Sequence, residues 1–218
     1  MSPDRWMLRW YREKLGIDRV ILVPRTTADA RTRLLDVARR RFARDGALSA
    51  TLDDVRREAE VSVGALYHHF PNKLSLATAV YAQLLSEYQA GFIAMLREHD
   101  TAEGGVRGGV RYHLRWVAAH RGEATLLLGS RMDSEDLRRS NEAFFAAVRD
   151  WWRPHQAYGV LGPLNIGITA ALWLGPAQEF SRHWVTGSAV KMPREAIETF
   201  AEAAWAALRA NNFKEESQ

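Results

Sequence analysis

The sequence predicts an all-α chain: a small N-terminal helix-turn-helix head followed by a larger helical body. Three observations carry this. Apolar residues recur at helical spacing along nearly the whole chain, without the alternation of strands or the punctuation of hairpins. The stretch Thr51 to Lys73, TLDDVRREAEVSVGALYHHFPNK, packs two short helices and a tight turn into one unit. Positive charge gathers in the same region. Residues 1–75 hold 15 Lys+Arg against 10 Asp+Glu, a net of +5, while the remaining 143 hold 15 against 16, a net of −1. Arginines alone often mark no more than a solvated surface, but beside a helix-turn-helix they mark a surface for phosphates.

The head is expected to begin with a helix from Asp29 to Asp45, in which Leu34, Ala38 and Phe42 repeat at i, i+4 with Leu35 alongside. Thr51 can cap the next helix, with Asp54 three residues on in the place of a capping-box acid. Val55 and Ala59 then lie one turn apart on an inward face. The chain breaks at Glu60-Val61-Ser62, and Ser62 can cap a further helix, Val63 to His69. Pro71 stops that helix and Asn72-Lys73 opens the next. Two helices held across a short turn place the second one for a DNA major groove.

The body is read as six more helices. A long one follows Asn72, with an apolar stripe through Leu76, Val80, Leu84, Tyr88 and Phe92. Gly104-Gly105 and Gly108-Gly109 are expected to loosen its successor, which carries His113, Trp116 and Val117 and ends near Gly122. Glu123 to Gly129 forms a short helix, and another runs from Asp133-Ser134 to near Pro154. Leu164 to Val185 and Pro193 to Asn211 complete the set, with Pro193 suited to a first turn. The expected division is an N-terminal extension over 1–25, a helix-turn-helix domain over 26–75 and a ligand-binding and dimerisation domain over 76–218. Residues 1–25 contain Trp6, Trp10 and five arginines. They fit a poorly ordered extension best, with a DNA-touching arm and an amphipathic membrane anchor as the other readings.

Composition excludes several classes. With 47% apolar residues and eight Trp the chain can build a sizeable core, yet no apolar run reaches the roughly 18 residues of a membrane span. The N-terminal stretch has no continuous apolar segment of a secretory signal, so a cytoplasmic protein without membrane association is expected. Cysteine is absent, which removes disulfides and thiolate metal sites. His68 and His69 are adjacent on a helix, about 100° apart, and do not converge on a metal. No Ser/His/Asp or Cys/His set, HExxH motif, phosphate-binding glycine loop or dinucleotide fingerprint occurs, so neither enzyme activity nor a cofactor is expected.

The run Val61-Ser62-x-Gly64-x-Leu66-Tyr67-His68-His69-Phe70-Pro71-Asn72-Lys73 resembles the recognition helix and following turn of the TetR family of bacterial transcriptional regulators. Arg31 to Gly46, RTRLLDVARRRFARDG, resembles that family's first helix. The likeness is close from Asp29 to roughly Leu84. Glu60 departs from it, standing where the family usually has Gly at a position that often wants a left-handed backbone.

Site residues follow from chemistry and from that likeness. Val63, Gly64 and Ala65 open the recognition helix and face base edges; Val63 and Ala65 can pack on thymine methyls, Gly64 lets the backbone approach, and Ser62 is the nearby hydroxyl. The resemblance implies phosphate contacts for Thr51, Tyr67, His69 and Lys73, whereas Leu66 and Phe70 are core. It also implies a ligand pocket in the body, for which Tyr88, Phe92, His113, Trp116, His120, Phe144 and Trp173 are the candidates. The competing reading is that these rings simply fill the core. For the last two helices the resemblance implies a four-helix homodimer interface, through Ala170, Ala171, Leu174 and Gly175 on one and Phe200, Ala204, Trp205 and Leu208 on the other. Burial of both stripes inside one subunit is the alternative.

The expected function is a homodimeric, sequence-specific DNA-binding regulator, a repressor released from a palindromic double-stranded operator by a small apolar effector. The alternative is a helical small-molecule carrier or enzyme whose basic head binds DNA only nonspecifically.

Overall fold

The structure, a computed structural model, describes residues 27–46, 49–129, 132, 134–189 and 191–210. The expectations for residues 1–25 and for the end of the last helix at Asn211 lie outside these. Nine helices form among the described residues, and no strand: α1 Thr27–Asp45, α2 Leu52–Glu58, α3 Val63–His69, α4 Lys73–Arg97, α5 Ala102–Ala119, α6 Arg121–Gly129, α7 Glu135–Ala157, α8 Ile166–Thr186 and α9 Arg194–Leu208. None is long and apolar enough to cross a membrane.

Caps decide most of the starts. Thr51, Ser62, Asn72, Thr101, Ser134 and Asn165 each accept a hydrogen bond from the backbone N–H three residues on, satisfying one of the donors a helix start leaves unpaired. At Asn72 the bond is reciprocal, because Ser75 accepts from the Asn72 N–H.

Two cores result. In the head Leu34, Ala38 and Phe42 of α1 meet Val55 of α2, Leu66 of α3, Phe70, and Leu76, Val80 and Leu84 of α4. Each large side chain buried there contributes roughly 1.5–3 kcal/mol. The body core gathers Phe92 and Leu96 of α4, Val106, Val110 and Leu114 of α5, Trp152 of α7, Trp173 and Ala177 of α8, and Ile197, Ala201, Ala204 and Leu208 of α9. Since α4 enters both cores, head and body share one rod.

Three details differ from what the sequence predicts. The glycines of α5 do not loosen it, since the helix runs unbroken through all four. A methyl group at Gly105 would fall 2.1 Å from the Trp151 ring, and one at Gly109 2.7 Å from the Trp173 ring. These positions trade helix propensity for aromatic packing directly on backbone. Likewise α5 ends at Ala119, and Gly122 sits inside the first turn of α6 instead of terminating α5. Finally, α7 passes through Pro154 to Ala157, because a proline in the last turn forfeits only one backbone bond. The chain then leaves through Gly159 at φ +67°.

Candidate nucleic-acid interface

The turn between α2 and α3 is closed by backbone. Val61 N–H donates to the Arg56 carbonyl and Glu60 N–H to that of Arg57, both at 3.1 Å, the paired bonds of a Schellman end. Such an end needs a left-handed residue, and Glu60 supplies it with φ +53°. The departure noted in the sequence therefore leaves the turn intact while placing a side chain where glycine is cheaper. Thr51 accepts from Asp54 N–H at 3.1 Å and its hydroxyl donates to the Asp54 carboxylate at 2.6 Å. That bond holds the Asp54 carboxyl below its usual range.

Across this turn α3 shows two faces. Leu66 is buried, as is Phe70 just beyond the helix end. Val63 and Tyr67, one turn apart, are 55% and 53% exposed, which is unusual for apolar and aromatic side chains on a helix whose other side is fixed in a core. Gly64 lies between them with nothing within 4 Å of where a side chain would project. Ser62 and His68 are exposed as well. Ala65 is partly buried against the head core, because a residue two positions from Val63 is turned about 200° around the helix. His68, not among the predicted contacts, also belongs to the open face, as its i+4 spacing from Gly64 indicates. His69 is half-buried and its Nε2 has no hydrogen-bond partner among the described residues. It lines a groove of about 860 Å³ with Arg31, Asp36, Asn72 and Ser75. Lys73 is the first residue of α4, half-buried.

The positive charge is less free than composition indicates. Arg40 and Arg41 pair with Glu58, Arg44 with Asp45, and Arg56 and Arg57 with Asp53. Arg31 lies over the Phe70 ring at 5.6 Å. A phosphate would compete for these guanidinium groups with carboxylates of the head itself.

Behind the head, α6 ties it to the body through three consecutive residues. Arg121 donates to the carbonyls of Trp184 at 3.0 Å, Val185 at 3.3 Å and Ala189 at 2.7 Å, and to that of Gly187, with its guanidinium 4.5 Å above the Trp184 ring. It thereby caps the carbonyl end of α8. Gly122 abuts the Ala43 carbonyl of α1. Glu123 accepts from Arg39 of α1 at 2.6 Å, and Arg39 also reaches Glu87 of α4 at 2.8 Å.

The candidate ligand residues separate into two groups. Phe92, His113 and Trp173 are buried, and each packs or hydrogen-bonds within the body. Phe92 touches the Tyr112, Phe144 and Trp173 rings at centroid distances of 5.7, 5.7 and 5.4 Å, and Trp173 Nε1 donates to the Val106 carbonyl at 2.7 Å. His113 bridges the Tyr88 hydroxyl at 3.0 Å and Ser181 at 3.1 Å. Burial, aided by the positive Arg182, pushes the His113 pKa down to about 4, and burial raises that of Tyr88 well above its ordinary range. These contacts are those of core-filling side chains. Trp116 instead lines an open cleft of about 670 Å³ with Met95, His99, Tyr112, Arg115 and Glu198. His120 stacks on Trp116 at 4.8 Å and lines a second cleft beside Gly122.

The dimer residues also divide. Ala204 and Leu208 are 3% and 1% exposed, buried in the body core with α5. Phe200 and Trp205 pack partly against the same core, Phe200 5.2 Å from the Phe180 ring. On α8, by contrast, Ala171 is exposed, Ala170, Leu174 and Gly175 half-exposed, and Ile168 and Leu172 are 47% and 38% exposed. Ile168, Ala171, Leu172 and Gly175 fall at i, i+3, i+4 and i+7, one apolar stripe on an outer face. Ile168 and Leu172 are its missed members.

Among the described residues no group of three or more His, Asp or Glu is placed to hold a metal. Residues 34–80 match the family model for bacterial regulatory proteins, tetR family. The chain is 34% identical over 84 residues to a probable acrEF/envCD operon repressor of Escherichia coli K12, covering 37% of this chain and 36% of that protein. It is 43% identical over 61 residues to the HTH-type transcriptional regulator SrpR of Pseudomonas putida, covering 27% and 29%. These matches thus span about a third of the curated relatives' length. A TetR family transcription regulator from Marinobacter aquaeolei VT8 shares the fold, with a TM-score of 0.67 at 16% identity over 83% of this chain and 96% of that one. Residues 34–80 thus carry a helix-turn-helix that matches the tetR family of bacterial regulatory proteins, on a chain that shares the fold of a TetR family transcription regulator.

Proposed function

We propose that the protein is a homodimeric, sequence-specific DNA-binding transcriptional repressor, acting in the cytoplasm on a palindromic operator and released by a small, largely apolar effector. The observation that carries this is the outer face of α3. Val63 and Tyr67 stay in solvent around an unobstructed Gly64, while Leu66 and Phe70 fix the helix from behind. Val63 offers methyl groups to thymine and Gly64 close backbone approach. Tyr67, His69, Lys73 and the Thr51 cap are assigned to phosphates.

Dimerisation is assigned to the stripe Ile168, Ala171, Leu172 and Gly175 of α8, with α9 alongside it. The effector is assigned to the cleft under Trp116 and Tyr112. Arg121, Gly122 and Glu123 then give the coupling a physical path: a shift of α8 or α5 moves α6, and α6 bears on α1. An effector acts only through unequal affinity for two arrangements of the heads, and operator DNA must weaken its binding by the same factor.

Selection of genomic fragments by the purified protein, followed by footprinting, tests this reading. Protection should cover a short palindrome whose half-sites lie about 34–36 Å apart, or multiples of that. Weak binding of all fragments alike would instead fit a carrier or enzyme with a basic head.

A further inference from the structure

Between the C-terminal half of α7 and the start of α8 lies a small pocket of about 150 Å³, lined by Arg149, Trp152, Arg153, Gln156, Leu164, Ile166 and Thr169. Trp152 and Thr169 are 3% and 1% exposed, and neither the indole N–H nor the Thr169 hydroxyl has a hydrogen-bond partner among the described residues. Leaving both unpaired is costly, and native proteins seldom tolerate it without an occupant. The other polar side chain of the wall is already committed: Gln156 Nε2 donates to the carbonyls of Gly162 at 2.8 Å and Leu164 at 3.2 Å. At the mouth stand two exposed arginines one turn apart. Arg153 approaches Asp150 at 3.5 Å, and Arg149 makes no ion pair among the described residues.

We propose that this pocket binds the carboxylate of a small organic acid. The indole N–H can only donate, the hydroxyl can donate, and both arginines donate and carry positive charge. Such a set calls for an acceptor, and a negative one. Leu164 and Ile166 supply an apolar wall for a short hydrocarbon portion. The volume is that of about five water molecules in the liquid, which accommodates an acid of a few carbons or the carboxyl end of a longer one. This site is independent of the DNA-binding reading and separate from the Trp116 cleft.

Calorimetric titration of the full-length protein with sodium butyrate, sodium octanoate and neutral butyramide, at constant ionic strength, tests the proposal. Butyrate should bind saturably and butyramide at least 10-fold more weakly. Octanoate binding at least as tightly as butyrate would identify the end of a longer acid as the occupant, and weaker octanoate binding a free short acid. Trp152→Phe and Thr169→Val keep bulk while removing one donor each, and Arg149→Ala removes surface charge. Each should lower butyrate affinity about 5-fold or more, with the thermal melt used to verify folding. No saturable butyrate binding, equal binding of butyramide, or unchanged affinity in folded Trp152→Phe and Thr169→Val together would overturn the assignment in favour of bridging water.

Discussion

Gly122 lies so close to Ala43 that a methyl group on its Cα would fall 2.1 Å from the Ala43 carbonyl oxygen. The obstruction is backbone, which cannot swing aside as a side chain can. Gly122→Ala must therefore push α6 away from α1 or distort the end of α1. Overpacking of this kind costs about 1–3 kcal/mol, read as a lowered urea midpoint. Operator affinity should fall with it, because the displaced contact joins head to body. An unchanged midpoint and unchanged affinity would show that the two helices are not held as described.

Glu60→Gly should work in the opposite direction. A residue with a side chain at φ +53° carries a penalty of roughly 1–2 kcal/mol that glycine escapes, partly offset by glycine's greater freedom in the unfolded chain. The net expectation is a gain of about 1 kcal/mol and a melting temperature about 2–4 °C higher. A lower melting temperature would mean that the Glu60 side chain contributes more than the turn costs.

The dimer face can be tested on one helix. Leu172→Arg places a charge on an exposed position of α8, which a folded monomer tolerates and an apolar interface does not. Sedimentation should give a folded monomer that no longer binds operator. A folded dimer would exclude this stripe as the interface. Leu208→Ala, in contrast, should cost about 2–5 kcal/mol of stability as a core cavity without changing the oligomeric state of whatever remains folded.

His113 gives a pH signature. Its pKa in the fold is about 4, below the ordinary 6.5, so between these values the unfolded chain takes up a proton that the fold refuses. Stability from this residue is complete above about pH 6.5 and is lost as pH falls toward 4. At pH 5 the loss is on the order of 2 kcal/mol relative to pH 8. His113→Gln should remove that part of the acid sensitivity in paired urea melts. Parallel pH dependence in the two proteins would place His113 in solvent.

Legibility in the sequence followed the range of the interactions. The caps at Thr51, Ser62 and Asn72, the span of α3 and the special backbone at Glu60 are settled within a few residues, and all can be read from the chain. Partner choice for an apolar stripe is not local. The α9 stripe looked as able to meet a second subunit as α8, and only its packing with Val106, Val110 and Leu114 of α5 in one core decides that Ala204 and Leu208 face inward. The glycines of α5 misled for the same reason, since their role lies in Trp151 and Trp173, dozens of residues away. Aromatic richness in the body was visible, but whether Phe92 or Trp173 faces a ligand or another ring depends on how rings from α4, α5, α7 and α8 interlock. Trp116 escapes that interlock only on one side.

Gly64 offers the sharpest test of whether the outer face of α3 enters DNA. Nothing lies within 4 Å of a Cβ added there and the position is exposed, so Gly64→Leu should leave the fold, the dimer and the melting temperature essentially unchanged while filling the space that the bases must occupy. Fluorescence anisotropy with a selected operator fragment is the measurement. Gly64→Leu should lower affinity about 100-fold or more at an unaltered melting temperature, a loss of about 2.7 kcal/mol. Wild-type affinity in a folded Gly64→Leu protein would contradict entry of this face into DNA.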